Sequence, residues 1–464
     1  MFLKKNSVTL LMGSAMAMSA FSQDYDRLKI SYVGLDKGSA QPVKSFPVKV
    51  FDGELRYQNK IEVMPDFTFQ TIEGIGGAFN EIGGEALMSL APEQQADVMN
   101  RLFADESAGF TYCRTAIGAS DFSNGAYSYS ETPEDFEMAH FSVERDQQYV
   151  LPYIKAALQV NPDLKLFASP WSPPAWMKQS GEMAGINELG TLREEKRVFE
   201  AYGKYFANYV QAYKQNGVNI RLVCVQNEPD ASTKYTSNIM PADQMLDLAI
   251  NYIRPEFKKN GIDTKIFAGT FRSHGNMEMH RFVALDQAKK VDGIGVQYTD
   301  PRLVQEVQRK YPGFTFMHTE SACFQGANSP KEAVGRLGEV SGMLDAGCVN
   351  FCYWNMILNE TGLSHWDWKQ NSLINIDREK KTVRYNPDYN VMYLISKMVK
   401  PGDVRVASSF LAGPIISVKD KAGTLKVIIQ NETRREQGIR MRVDDDIFHF
   451  MIPARAVSAI EIGK

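Results

Sequence analysis

The sequence predicts an α/β fold, a (β/α)8 barrel of the TIM type with a β-sandwich side domain built from both chain ends. Three observations predict it. The middle of the chain alternates eight short apolar runs with longer amphipathic segments. Both ends alternate apolar and polar residues with a period of two, as antiparallel strands with one wet face do. No glycine-rich phosphate fingerprint follows any apolar run; Glu73-Gly-Ile-Gly-Gly77 lacks the spacing, which counts against a doubly wound open sheet.

The chain opens with a targeting segment. Lys4-Lys5 form a charged start, Val8 to Ala20 an apolar stretch, and Ala20-Phe-Ser22 a small-residue cleavage site before Gln23. The apolar part is too short for a membrane span. Residues 1–22 therefore read as a signal peptide, and the mature protein as secreted or periplasmic, with no integral membrane segment. Residues 23–66 form the N-terminal part of the sandwich, with strands at Leu28–Tyr32, Val48–Phe51 and Lys60–Val63. Residues 393–464 form the C-terminal part, with strands at Asp403–Ala407, Ile415–Val418, Leu425–Gln430 and Ala456–Ile462.

Residues 67–392 are left for the barrel. Its strands are expected at Thr71–Gly76, Gly109–Thr115, Leu164–Ser169, Leu222–Val225, Lys265–Gly269, Val291–Val296, Phe314–Thr319 and Val349–Tyr353. Helical patterns between them include Pro92–Phe103, Gln147–Gln159, Lys196–Asn216, Ala242–Asn260 and Pro330–Ala346.

Composition narrows the function. A chain of 464 residues with 23% charged residues can bury a sizeable core. A net charge of −3 offers no electrostatic reason to bind nucleic acid or an anionic membrane. Five scattered cysteines make neither a disulfide framework nor a zinc site. Cys323, near Glu320, reads as a packing residue.

Chemistry in a barrel gathers at the C-terminal ends of the strands. Those ends carry Asn80, Asp121, Trp171, Trp176, Asn227, Glu228, Gln297, Tyr298, Glu320, Trp354 and Asn355. The set holds carboxylates, carboxamides and aromatics, without a Ser-His-Asp group, a strand-end lysine or a metal cluster. It suits a neutral polyhydroxylated ring better than a phosphate or a peptide, and it argues against a lyase or aldolase.

Glu228 and Glu320 follow the fourth and seventh strands, which face each other across an eight-stranded barrel. Glycosidic cleavage needs such a pair: one carboxylic acid to protonate the leaving oxygen, one carboxylate on the opposite side. Glu228 is read as the acid/base and Glu320 as the nucleophile. Asn227 is read as the donor to the sugar 2-hydroxyl, with Asp121, Trp171, Trp354 and Asn355 as further substrate contacts and Tyr298 grouped with them. Arg114 lies inside an apolar strand and must be paired; it either holds a glutamate ionised or forms a structural ion pair. Glu81 is expected at a helix N-terminus, His318 and His365 in the scaffold or rim, and Asp444-Asp-Asp446 in a turn.

Several of these segments together resemble glycoside hydrolase family 30, which includes glucosylceramidases and endo-β-1,6-glucanases. They are Gly74-Ile-Gly-Gly-Ala-Phe79, Ser120-Asp-Phe-Ser123, Ala168-Ser-Pro-Trp-Ser-Pro-Pro-Ala-Trp176, Gln226-Asn-Glu-Pro229, Thr319-Glu-Ser-Ala-Cys323 and Tyr353-Trp-Asn355. The resemblance implies a barrel with a side β-domain, a retaining mechanism and no cofactor. It implies the same roles for Glu228 and Glu320, with Asp121, Trp171, Asn227 and Trp354 lining the subsite of the sugar whose bond breaks. The sequence departs from the family after the sixth strand, where Gln297 stands in place of a histidine; the resemblance implies that Tyr298, beside it, is the aromatic that bonds the nucleophile. Trp366-Asp-Trp-Lys-Gln-Asn371 is more similar to the β-1,6-glucanase branch, so an oligosaccharide or glucan with β-1,6 links is the expected substrate. A glucosylceramidase-like or other exo-β-glycosidase, and a non-catalytic glycan-binding barrel, remain alternatives.

Overall fold

The computed structural model describes residues 25–36, 43–51, 59–185, 190–272 and 277–463. The expected signal segment, 1–22, lies outside the described residues. Eight parallel strands form the barrel: β1 (Gly74–Ala78), β2 (Tyr112–Ala116), β3 (Lys165–Ser169), β4 (Ile220–Cys224), β5 (Lys265–Phe271), β6 (Gly293–Gln297), β7 (Phe316–Glu320) and β8 (Asn350–Asn355). Strands β1 to β7 are hydrogen-bonded in chain order, and β8 pairs with β1. The strands are buried nearly throughout, so they read as continuous apolar runs rather than alternating ones.

Two sequence features shape the barrel wall. Gly76 stands where β1 and β2 approach closely: a methyl group there would lie 2.2 Å from the Tyr112 carbonyl oxygen. Between β7 and β8 a single bridge, Phe316 to Cys348, carries the pairing. The Asn350 side chain completes this seam. Its oxygen accepts from the His318 N–H at 3.1 Å and its nitrogen donates to the His318 carbonyl at 2.9 Å, as a backbone would.

Helices surround the sheet, among them Pro92–Phe103, Val150–Val160, Lys196–Gln215, Pro301–Lys310 and Pro330–Asp345. The helix expected over Ala242–Asn260 is interrupted by a π-helical turn, Leu248–Ile253, just ahead of Pro255. Proline has no N–H to donate, so the regular ladder must break nearby.

The side domain is one nine-stranded sheet with three strands from the N-terminal end and six from the C-terminal end. Alternation sorts its side chains into two cores. Val427, Ile429, Ile460 and Ile462 enter the domain's own interior. Ile428, Val457 and Ala459 enter the core shared with the barrel. The two sheet edges meet where Met451 N–H donates to the Lys49 carbonyl at 3.1 Å, and Val50 bridges Phe450. The strand expected at Val48–Phe51 is reduced to that one bridge; the paired segment is Lys44–Phe46, against Tyr32–Ile30. Asp444 and Asp445 form the expected turn, with Asp444 at φ 51°, between Gln437–Val443 and Asp446–Ile452.

The strand Lys60–Thr71 pairs with Val404–Phe410 along its length. It therefore absorbs the start expected for the first barrel strand, which begins at Gly74 rather than Thr71. The boundary expected at 66/67 falls inside this strand, and the one at 392/393 inside the helix Pro387–Met398. That helix packs between barrel and sheet, as its nearly complete burial reflects. After β8 a small three-stranded sheet, Ile357–Asn359, Ile374–Asp377 and Thr382–Tyr385, adds to the barrel mouth.

Candidate active site

Backbone hydrogen bonds place the segment after β4. Val225, Gln226 and Glu228 N–H groups donate to the carbonyls of Phe267, Gly269 and Thr270, and Asn227 N–H donates to Pro170. The chain is thus pinned between the ends of β3 and β5. Glu228 adopts φ 43° and Tyr298 φ 49°. The left-handed region costs a side-chain-bearing residue about 1–2 kcal/mol, and here it occurs at two residues of the polar cluster.

Arg114, fully buried on β2, is the hub. Its guanidinium donates to Glu320 Oε2 at 2.8 Å, Asn227 Oδ1 at 2.7 Å, Ser169 Oγ at 2.6 Å and the Thr319 carbonyl at 3.1 Å. It lies 4.6 Å from the Trp171 ring centre and 5.4 Å from that of Trp354, and the two rings stack on each other. The expected partner of Arg114 is thus Glu320, one of the two glutamates singled out in the sequence.

Glu320 also accepts from the Tyr298 hydroxyl and, at 3.2 Å, from Gln297 Nε2. Glu228 is held more loosely: Gln297 Nε2 donates to its Oε1 at 3.3 Å, and Arg272 stands 3.6 Å from its Oε2 while gripping Asp230 at 3.0 Å. The two glutamate oxygens sit 3.3 Å and 3.2 Å from one nitrogen, so they are at most 6.5 Å apart, the sum of the two.

Burial pushes the Glu320 carboxyl up to about 7, with Arg114 opposing and Glu228 adding. Burial also raises Glu228, with Arg272 opposing. Two coupled carboxyls titrate as a pair, and their donors decide which holds the anion. A guanidinium at 2.8 Å, a phenol and an amide favour the anion on Glu320. Glu228 has one long amide donor and Arg272 at 3.6 Å, a weaker hold on an anion than the one Glu320 receives. The arrangement therefore sets two buried, coupled carboxyl groups close together, one of them more strongly held by donors.

Asn227 Oδ1 accepts from Arg114, Thr270 and Gln297, which fixes the amide's orientation and leaves its NH2 as the group available to a ligand. Asp121 Oδ1 and Trp354 Nε1 are buried and have no protein partner among the described residues. Buried polar groups are normally paired, and sugar hydroxyls would pair both. Burial, then the charges of Glu320 and Glu228, raise the Asp121 carboxyl well above its usual range.

Asn355 is not brought to this cluster. Its nitrogen donates to Gln370 Oε1 at 2.7 Å and the Asn371 carbonyl, and its oxygen accepts from Asn80. It braces the loop after β8 against the N-cap of the helix Glu81–Met88, because the alternation of β8 puts Trp354 and Asn355 on different sides. Trp176 likewise stands apart: its indole donates to the Ser130 carbonyl and packs edge-on against Phe136. Glu81 opens its helix and accepts from Asn124 N–H and Arg145. His318 is buried, stacked on Phe351 and pushed down to about 3 by desolvation. All five cysteines are buried and free.

Residues that sequence reasoning passed over are Thr270 and Arg272, at the end of β5. The rule that found the others, reading each strand end, would have found them. Aromatic groups flank the pair: Tyr298 lies against half-exposed Phe324, and Tyr235 against Trp366.

Replacing Arg114 by methionine is expected to lower stability by about 3–5 kcal/mol, because it strips a buried carboxylate of its counter-charge. Denaturant unfolding checks this. With the opposing positive charge gone, Glu320 titrates higher, so the acidic limb of the activity profile should move to higher pH.

Residues 72–374 match the glycosyl hydrolase family 30 TIM-barrel domain. Over 411 residues the chain is 25% identical to an endo-1,6-β-D-glucanase of Neurospora crassa, covering 85% of this chain and 82% of that one. Over 377 residues it is 26% identical to the lysosomal acid glucosylceramidase of Mus musculus, covering 75% and 72%. The solved endo-β1,6-glucanase BT3312 superposes with a TM-score of 0.82 at 23% identity, over 94% of this chain and 99% of that one. Among the described residues no helix is long and apolar enough to cross a membrane.

Proposed function

The chain belongs to glycosyl hydrolase family 30, and from that premise we propose that it is a retaining β-glycoside hydrolase acting on β-1,6-linked glucan. One observation carries the mechanism: the two glutamate oxygens share one amide donor and are at most 6.5 Å apart. Retaining enzymes hold their carboxyls about 5–5.5 Å apart, and inverting ones about 6.5–9.5 Å, to seat a water between.

In the first step Glu320 attacks the anomeric carbon as Glu228 gives its proton to the departing oxygen. The glycosidic bond breaks, and a glycosyl ester forms on Glu320. Glu228, now ionised, takes a proton from water, which attacks the same carbon and releases Glu320. Asn227 donates to the 2-hydroxyl, a contact that strengthens as positive charge develops in the ring. The Trp171–Trp354 pair forms an apolar wall, and Asp121 accepts from a hydroxyl.

The preference for a glucan rests on the Neurospora relative's name and on the aromatic rim, where Trp366 and exposed Trp368 could stack further sugar units. Export is part of the reading, supported by the charged and apolar segment at Lys4–Ser22. A product profile tests the substrate class. Purified enzyme should release oligosaccharides from pustulan, a β-1,6-glucan, faster than from β-1,3-glucan, β-xylan or glucosylceramide. Preferential cleavage of glucosylceramide would favour the lipid-glucoside alternative instead.

A further inference from the structure

We propose that Gln297 is a positioning residue that ties the two glutamates together and follows the negative charge from one to the other through the reaction. The inference rests on the two-glutamate reading above.

Gln297 is the last residue of β6 and is fully buried. Its Nε2 lies 3.3 Å from Glu228 Oε1, 3.2 Å from Glu320 Oε2 and 3.3 Å from Asn227 Oδ1. Its Oε1 accepts from Thr319 Oγ1 at 2.8 Å and from Arg114 at 3.4 Å. That environment sets the amide's orientation, since reversal would turn its oxygen toward two carboxyl groups and its NH2 toward two donors. An amide nitrogen has two hydrogens. Asn227 Oδ1 already accepts from Arg114 and Thr270, so the two glutamates are the acceptors in need.

A neutral donor suits this place for a chemical reason. Before the first step the anion is on Glu320. Once the ester forms, Glu320 carries no charge and Glu228 is the anion. A glutamine donates to either without titrating. A fixed cation would hold both glutamates ionised and remove the acid. An apolar group would take away the one hydrogen-bond donor of Glu228, leaving it Arg272 at 3.6 Å, and would leave Glu320 only Arg114 and Tyr298. The other charged or titratable groups facing the pair are Arg114 from β2, Arg272 and Asp230 beside Glu228, Tyr298 beside Glu320, and Asp121 and Tyr235 across the pocket.

The test is the pH profile of kcat/KM for Gln297→Met, which keeps the length and removes the donor, and for Gln297→Glu, which keeps the shape. On pustulan, Gln297→Met should lose on the order of 10- to 100-fold, the worth of a hydrogen bond to a charged group. Both limbs should move to higher pH, by about one pH unit, because both ionised forms lose a donor. Gln297→Glu adds a third acid and should move them further the same way, which keeps the proposal testable where one variant folds poorly. Activity that falls with both limbs in place would make Gln297 a packing residue and overturn the proposal. That outcome differs from failure of the underlying reading, which would show as full activity in Glu320→Ala.

Discussion

Glu320→Ala is expected to lower kcat on any β-glycoside by at least about 10⁴-fold, equivalent to roughly 5.5 kcal/mol of transition-state stabilisation. Among the described residues the other carboxylates beside the pair are Asp121, which has no cation within hydrogen-bonding reach to hold it ionised, and Asp230, which is committed to Arg272. The truncation also leaves Arg114 buried without its anion, although Asn227, Ser169 and the Thr319 carbonyl still accept from it. Glu320→Gln, which keeps an acceptor for Arg114, separates the two effects: it should fold normally and remain as inactive. Sodium azide added to Glu320→Ala enters the vacated space and attacks from the same face, so an activated aryl β-glycoside should yield the α-glycosyl azide. Product analysis by NMR reads this; a β-azide would point to a different attacking face and count against Glu320.

Glu228→Gln should show an effect that depends on the leaving group. With a glucan, whose departing alkoxide needs a proton, the loss should be about 10²–10⁴-fold. With a dinitrophenyl β-glucoside the first step needs no proton and should be nearly unchanged. The second step still lacks its base, so a burst of phenolate should precede slow turnover. The contacts fit this division of labour: Glu228 has one long amide donor and a guanidinium at 3.6 Å, where Glu320 has a guanidinium at 2.8 Å and a phenol as well as the amide. Stopped-flow absorbance on both substrates checks it. Equal losses on both would mean that Glu228 does something other than transfer a proton.

The barrel and its carboxylate pair were legible because each depends on a local pattern. Apolar runs mark β4 and β7, and a polar residue just past such a run must face the mouth; this located Asn227, Glu228 and Glu320 without knowledge of distance. The same rule reached Tyr298 and Trp354, which meet the pair or its arginine. It failed for Asn355, because one residue along a strand reverses the side of the sheet, and a run of buried positions such as β8 gives no alternation to show which side is inward. The strand expected at Val48–Phe51 has the right alternation, yet the neighbouring Lys44–Phe46 takes the edge pairing and only Val50 bridges across. The small sheet after β8 went unread because two of its strands are four residues long and one is three, too short for a period to declare itself. The joint hold of Gln297 on both glutamates is a fact of three dimensions: its acceptors come from β4 and β7, and nothing in Val296-Gln-Tyr298 reports where those strands end.

The central claim is that Glu320 becomes covalently bonded to the sugar. A 2-deoxy-2-fluoro-β-glucosyl fluoride slows both steps but has an activated leaving group, so it should inactivate the enzyme stoichiometrically. Peptide mass spectrometry of the inactivated protein should find one fluoroglucosyl group, attached to Glu320 in the peptide containing Phe316-Met-His-Thr-Glu320. An adduct on Glu228 or Asp121, or hydrolysis of natural substrate with inversion at the anomeric carbon, would contradict the account.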